Sequence, residues 1–243
     1  MSNAAEKRWT QIAQTLPKPR AILFDWDNTL VDTWPVIHAA LEETFLEGGL
    51  TPWTIDEVKA RVQKSMRDSF PIIFGENWAK YGEIYQAAYR KRQKDGIRPL
   101  PGAEEMLKTL QDKGIFLGVV SNKKGPGLRI ESANLGWDQY FSVLVGADDA
   151  SHDKPHAAPV LLALKDSGIT PGPDVWFIGD SEIDLETAAN CGMTPIFFGI
   201  TGTDEILASK HYGGQSFSAH TLDHTALQLL FAAHLVDAVE AAQ

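Results

Sequence analysis

The chain has 243 residues, 44% of them apolar, which is enough for one α/β domain or for a core domain carrying a smaller insert. Its single cysteine, Cys191, excludes an internal disulfide framework and a cysteine-rich zinc site, and suits a reducing cytoplasm. A formal net charge of −10 argues against a nucleic-acid duplex or an anionic membrane as partner, and an anionic small molecule would need help from a metal or local basic groups.

The opening stretch, residues 1–20, is polar and lacks the apolar centre of a signal peptide, so a cytoplasmic location is expected. The run AILFD (21–25) reads as a first buried strand that ends in Asp25, with Asp27 one residue beyond it. Two carboxylates so close repel each other unless a positive group lies between them or one holds a proton. Further continuous apolar runs lie at 115–122, 141–148, 174–180 and 194–200. None alternates apolar with polar residues, as expected of strands buried on both faces of a parallel sheet. Helical patterns separate them, stopped by Gly114, Gly168 and Gly192. This alternation predicts a doubly wound Rossmann-like α/β core, in which ligands bind at the carboxyl ends of the strands. Those ends carry Asp25 and Asp27, then Ser121 and Asn122, then Asp180, with Asp184 one helical turn on.

Residues 35–97 interrupt the alternation with amphipathic helices rich in aromatic residues. Trp34-Pro35 and the stretch DGIRPLPG bound the segment and predict stiff hinges. The expected division is therefore a core of residues 1–33 and 98–243 and an inserted helical cap of residues 34–97. Residues 35–97 hold nine basic and nine acidic side chains, so the negative excess lies outside the cap. The run YRKRQK (89–94) reads as a solvated helix face. Cys191 reads as core, and His38, His152 and His156 as solvated or loop residues. The apolar C-terminal stretch is short for a membrane span and is expected to be a buried helix.

FDWDNTLVDT, VVSN, Lys154-Pro155 and FIGDSEID together resemble the haloacid dehalogenase superfamily, in order and in spacing, over residues 20–202. The cap's place between the first two motifs resembles the phosphoglycolate phosphatase and β-phosphoglucomutase branch. The resemblance implies a Mg²⁺-dependent phosphatase acting on a small phosphate ester, as a monomer or homodimer with no nucleic-acid or membrane partner. It assigns Asp25 as nucleophile, Asp27 as general acid and base, and Lys154 as the cation beside the reacting groups. It places Mg²⁺ on the carboxylates of Asp25 and Asp180 and on the main-chain carbonyl of Asp27, with Asp184 ordering that shell directly or through water. Ser121 would hold phosphoryl oxygens. Asn122 belongs to the same substrate-side loop, which it is expected to anchor. Arg67, in the cap stretch QKSMRD (63–68), is expected to read an anionic group of the substrate.

The need for a metal is electrostatic. Bringing a carboxylate to about 4 Å from a phosphate dianion costs about 8 kcal/mol at an effective dielectric near 20. Two departures from the family's pattern stand in the first motif, where Trp26 and Asn28 replace the commoner leucine and glycine. Asparagine tolerates the left-handed backbone that such a turn needs. In the fourth motif, Ile183 replaces a residue that is commonly polar. The alternatives to a phosphatase are a phosphosugar mutase, or a binding protein that keeps the fold without turnover.

Overall fold

The computed structural model describes residues 16–62, 64–199, 217–219, 224 and 227. The expected C-terminal helix, the opening 15 residues of the polar leader and Gln63 of the cap stretch therefore lie outside the described residues, His224 and Leu227 excepted. In chain order the first half contains β1 (Ala21–Phe24), β2 (Val31–Asp32), α1 (Trp34–Glu47), α2 (Ile55–Arg61), α3 (Met66–Phe74), α4 (Trp78–Gly96) and β3 (Arg98–Pro99). The second half contains α5 (Ala103–Asp112), β4 (Phe116–Lys124), α6 (Gly125–Leu135), β5 (Val143–Ala147), α7 (Ala158–Leu164), β6 (Val175–Gly179), α8 (Glu182–Asn190), β7 (Thr194–Phe198) and β8 (Phe217–Ala219).

The apolar runs form one parallel sheet in the order β5-β4-β1-β6-β7-β8. Strand β1 is buried along its whole length and pairs with β4 on one side and β6 on the other. From β1 the chain builds outward to β4 and β5 and then returns to the other side for β6, β7 and β8. The sheet thus reverses direction at β1, and a crevice opens beyond the carboxyl ends of the strands at such a switch point. Phe24 stands level with Val119 of β4 and Ile178 of β6, so Asp25, Ser121 and Asp180 emerge at neighbouring strand ends. Gly114, Gly168 and Gly192, the expected helix stops, all have positive φ.

The helices α1 to α4 are inserted between β2 and β3, which pair antiparallel and tie the two hinges together. Pro35 occupies the first turn of α1, where its missing N–H costs nothing. At the start of α2, Thr54 and Glu57 form a reciprocal capping box, with Glu57 N–H donating to Thr54 Oγ1 and Thr54 N–H donating to Glu57 Oε2. The aromatic residues of the cap pack as a chain of tilted and edge-on rings: Trp53 on Phe45, Phe45 on Phe74, Phe74 on Phe70, Phe70 on Tyr85 and Tyr85 on Tyr89. Each such pair adds about 0.5–1.5 kcal/mol beyond the area it buries. The chain of rings runs from the outer cap down to the face that meets the sheet.

The expectation that residues 89–94 are a solvated face needs correction. Lys91 and Arg92 do point outward and pair with Glu43 of α1. Tyr89 and Gln93, four residues apart on α4, are buried against α6 of the core. Among the described residues no helix is long and apolar enough to cross a membrane.

Candidate active site

The loop after β1 is folded tightly on itself. Asp25 N–H donates to Ile178 O at 2.8 Å and carries the sheet ladder one residue past the strand. Leu30 N–H donates to Trp26 O at 3.0 Å, and Asn28 N–H donates to Val31 O at 2.7 Å. Closing so short a loop requires a left-handed residue, and Asn28 supplies it with φ 60°. Its side-chain oxygen then accepts from both the N–H and the hydroxyl of Thr33. Trp26 points back into the core, packed edge-on against Trp137, and its indole N–H donates to Glu131 Oε2 at 2.7 Å. A leucine here would leave that carboxylate oxygen without this donor.

Asp25, Asp180 and Asp184 converge, each offering an oxygen within 4.8 Å of the others. Asp25 comes from the end of β1 and Asp180 from the end of β6. Asp184 comes from the first turn of α8, where it caps the helix by accepting from the N–H and hydroxyl of Ser181. Only glycine fits beneath it, since a Cβ at Gly179 would stand 2.2 Å from Asp184 Cγ. The remaining Asp184 oxygen accepts from Lys154 Nζ at 2.7 Å, and the same ammonium donates to Asp25 Oδ1 at 2.8 Å. Lys154 is itself held by Asn122: the Asn122 side chain accepts from Lys154 N–H at 2.9 Å and donates to Lys154 O at 3.2 Å. Both ends of the Asn122 amide are therefore committed to the loop. It anchors Lys154 while itself lining the cavity.

A second buried cation faces Asp27. Lys123, at the end of β4, has its ammonium 2.8 Å from Asp27 Oδ1 and 3.2 Å from Glu131 Oε1. Glu131, on the buried face of α6, also accepts from Tyr89 and Gln93 of the cap helix α4, each at 2.9 Å. The Lys123 ammonium donates to the Tyr89 hydroxyl at 2.7 Å. A continuous set of polar contacts thus joins the cap to Asp27.

Charge in this site is incompletely balanced. Burial pushes the Asp180 carboxyl well up, and the neighbouring Asp25 and Asp184 push it further. Burial also raises Asp184 against the pull of Lys154, and raises Asp27 against the pull of Lys123. For both lysines burial acts downward, but the acids beside them outweigh it and each is raised. Three acids therefore strain toward protonation although two lysines serve them. An all-oxygen donor set with surplus negative charge fits a hard divalent cation.

A cavity of about 450 Å³ ends on this cluster. Asp25, Asp27, Ser121, Lys154 and Asp180 line its inner end. Its outer walls come from α1, α3 and α4.

Arg67 is not among the cavity's lining residues. It starts α3 but turns to the other side, where it pairs with Asp153 at 2.7 Å and Asp148 at 3.4 Å. The expectation that it reads the substrate is corrected: two core-loop acids already take its charge, and it straps cap to core. His152 and His156 stack on each other near this contact, outside the cavity. His38 bonds the Trp53 carbonyl. The sequence reading missed Lys123, Glu131, Tyr89 and Gln93. One signal for Glu131 was available, since it shares a helical face with the buried Leu128 and Ser132.

A carboxylate at a sheet switch point, beside a buried lysine and two further acids under a helical cap, makes an acidic centre suited to a hard cation. The haloacid dehalogenase-like hydrolase family model matches residues 22–198, and the chain belongs to that family. It is 31% identical over 182 residues to a protein of Xanthomonas campestris pv. campestris named phosphoglycolate phosphatase, covering 73% of this chain and 82% of the relative. A Yersinia pestis protein of the same name is 28% identical over 202 residues, covering 79% of this chain and 86% of the relative. Among solved structures, a Had-superfamily hydrolase from Ehrlichia chaffeensis superposes with TM-score 0.60 at 26% identity, over 91% of this chain and 100% of that one. A haloacid dehalogenase-like family hydrolase from Streptococcus pneumoniae superposes with TM-score 0.71 at 23% identity, over 86% of this chain and 96% of that one, a likeness of fold. The chain is a phosphoric monoester hydrolase, and the acidic cluster is suited to the divalent metal that phosphatases of this family generally use.

Proposed function

We propose that the chain is a Mg²⁺-dependent phosphatase that hydrolyses a small phosphorylated metabolite through an aspartyl-phosphate on Asp25. The observation that supports this most is the meeting of Asp25, Asp27, Ser121, Lys154 and Asp180 in the lining of one cavity. Mg²⁺ on the carboxylates of Asp25 and Asp180 and the Asp27 carbonyl would neutralise the phosphoryl oxygens and so remove the repulsion between anionic nucleophile and anionic substrate. Lys154 contributes a second positive charge and holds the attacking oxygen's carboxylate in one orientation through its bonds to Asp25 and Asp184. Asp184, on this reading, acts through Lys154 as a positioning residue. The Ser121 hydroxyl takes a phosphoryl oxygen.

Asp25 attacks phosphorus, the ester P–O bond breaks, and Asp27 delivers its proton to the departing alkoxide. Water then attacks the same phosphorus while Asp27 takes one of its protons, and Asp25 departs as a free carboxylate with inorganic phosphate released. The raised Asp27 carboxyl suits a group that must hold a proton in one step and lose it in the next.

The test is a trapping experiment. Asp27→Asn should slow turnover of an alkyl phosphate by about 10²–10⁴. With an aryl phosphate, whose leaving group needs no proton, the first step should recover and phosphate should accumulate on the Asp25 peptide after acid quench. Asp25→Asn should abolish both turnover and labelling. A label on another residue, or near wild-type turnover by Asp25→Asn, would overturn this mechanism.

A further inference from the structure

The cavity above the acids is built unlike a receptor for a two-carbon acid phosphate. We propose that the substrate is a phosphomonoester whose leaving alcohol carries a large apolar, ring-bearing body, seated in the cap. The inference rests on the phosphatase reading above and names the substrate class of that same site.

Size is the first argument. At about 30 Å³ per water molecule, the 450 Å³ cavity holds the equivalent of about 15 waters and falls within the range that accommodates drug-sized ligands. A phosphoglycolate-sized ester would leave most of that volume to water.

Wall chemistry is the second. The cap contributes Ile37 and Leu41 of α1, Met66, Phe70 and Ile73 of α3, and Tyr85 of α4 to the lining, alongside the polar Ser69 and Gln86. Ile183 brings a branched aliphatic side chain into the lining beside Asp180, at the position in the fourth motif where a polar residue is commoner. Water in contact with such walls gains little, and apolar substrate surface displacing it gains about 25 cal/mol per Å².

The third argument is where the cations are. A small carboxylated ester would place its second anion within a few bonds of the phosphorus. The lysines at that depth are already engaged, Lys154 by Asp25 and Asp184 and Lys123 by Asp27 and Glu131. Arg67, the expected anion reader, is held outside the cavity by Asp148 and Asp153. The other basic side chains of the lining that no described acid pairs with, Lys59, Lys64 and Arg90, are solvent-exposed, unlike the buried Asp25. The inner walls therefore offer contact to apolar surface and no cation to a second charge close to the phosphate.

The test is a series of alkyl phosphates of nearly equal leaving-group acidity: ethyl, 2-phenylethyl and 2-(2-naphthyl)ethyl phosphate, compared with 2-phosphoglycolate. At about fourfold per buried methylene-sized group, kcat/KM should rise at least tenfold at each step of the series and exceed that for 2-phosphoglycolate. Met66→Trp, which fills part of the cavity, should lower kcat/KM for the naphthyl ester far more than for ethyl phosphate, with an unchanged melting temperature as the control for a folded protein. If that variant does not fold, Ile73→Asp should flatten the series in the same way. No increase along the series, or preference for 2-phosphoglycolate, would overturn the substrate class and leave the phosphatase reading standing. Hydrolysis of none of the esters would remove both.

Discussion

Replacing Lys123 with methionine keeps most of the side chain's volume and removes its charge. The ammonium stands 2.8 Å from an Asp27 oxygen and 3.2 Å from a Glu131 oxygen, so those two oxygens are no more than 6.0 Å apart. Without the lysine they face each other as two anions. At 6 Å and an effective dielectric near 20 their repulsion is about 3 kcal/mol. That agrees with the roughly 3–5 kcal/mol lost when one partner of a buried ion pair is deleted. At about 2–4 °C per kcal/mol for a chain of this size, Lys123→Met should melt about 6–20 °C below wild type at pH 7.5.

The loss should depend on pH with a defined sign. Asp27 already has a raised carboxyl, and Lys123 is the chief group pulling it down. Removing that pull raises it further, so the folded variant binds more protons than the unfolded chain between the two pKa values. Stability of the variant then falls as pH climbs through that window and returns as pH drops. The gap to wild type should narrow on going from pH 7.5 to pH 5.5. Adding Glu131→Gln should restore part of the stability at pH 7.5, because one carboxylate no longer faces an anion. Chemical denaturation at the two pH values, on single and double variants, measures all three quantities. A loss under 1 kcal/mol, or one that is the same at both pH values, would refute the role assigned to Lys123.

Added Mg²⁺ should raise the melting temperature, by the equivalent of about 2.7 kcal/mol at a hundred times its dissociation constant, and a calorimetric scan would read it. The rise should grow from pH 5 to pH 8, because Asp180 is pushed up by burial and must lose its proton before it can bind the ion. Exhaustive chelation should abolish hydrolysis, and full activity without metal would contradict the metal assignment. Arg67→Ala should lower kcat/KM for charged and uncharged-tail substrates by similar factors, since its partners are Asp148 and Asp153; selective loss on substrates with a second anion would restore it as a specificity residue. Asn122→Ala should reduce kcat far more than it raises KM, because it releases Lys154 and leaves Ser121, the proposed phosphoryl-oxygen donor, in place.

The core was legible because its signals are local. A parallel strand buried on both faces must be continuously apolar, so β1, β4, β5, β6 and β7 announced themselves to within a few residues. The strand ends carried polar residues that the apolar pattern could not absorb, and four of them, Asp25, Asp27, Ser121 and Asp180, do meet in the lining of one cavity. Asn28 was legible for the same reason, as a residue type matched to one backbone conformation. What the sequence concealed is every relation that depends on how the cap sits on the core. A basic run such as 89–94 looks solvated because four of its six residues are charged, and no local pattern says that Tyr89 and Gln93 face a glutamate 42 and 38 residues on. Arg67 misled for the matching reason: a cation in a cap loop has two possible acids to meet, the substrate's or the core's, and only the packing decides between them.

That asymmetry has a chemical consequence. The acids, Lys154 and Ser121 come from strand ends and the loops beside them, which the sheet register holds level. The apolar walls come from the cap, joined to the core through the β2–β3 pair, the Arg67 strap and the Glu131 contacts. The groups proposed to make and break bonds and the walls proposed to select the substrate are therefore fastened to the fold by different interactions. Substitutions in α1, α3 or α4 can change which leaving group is accepted while leaving the acids in place. Tyr89 is the exception, since it lines the cavity and also bonds Glu131 and Lys123, and Lys123 in turn faces Asp27. On the proposed mechanism, a substrate body pressing on Tyr89 would be felt at Asp27 through the Lys123–Tyr89 hydrogen bond and the Lys123–Asp27 ion pair, so leaving-group selection and the proposed proton donor meet at that one ring.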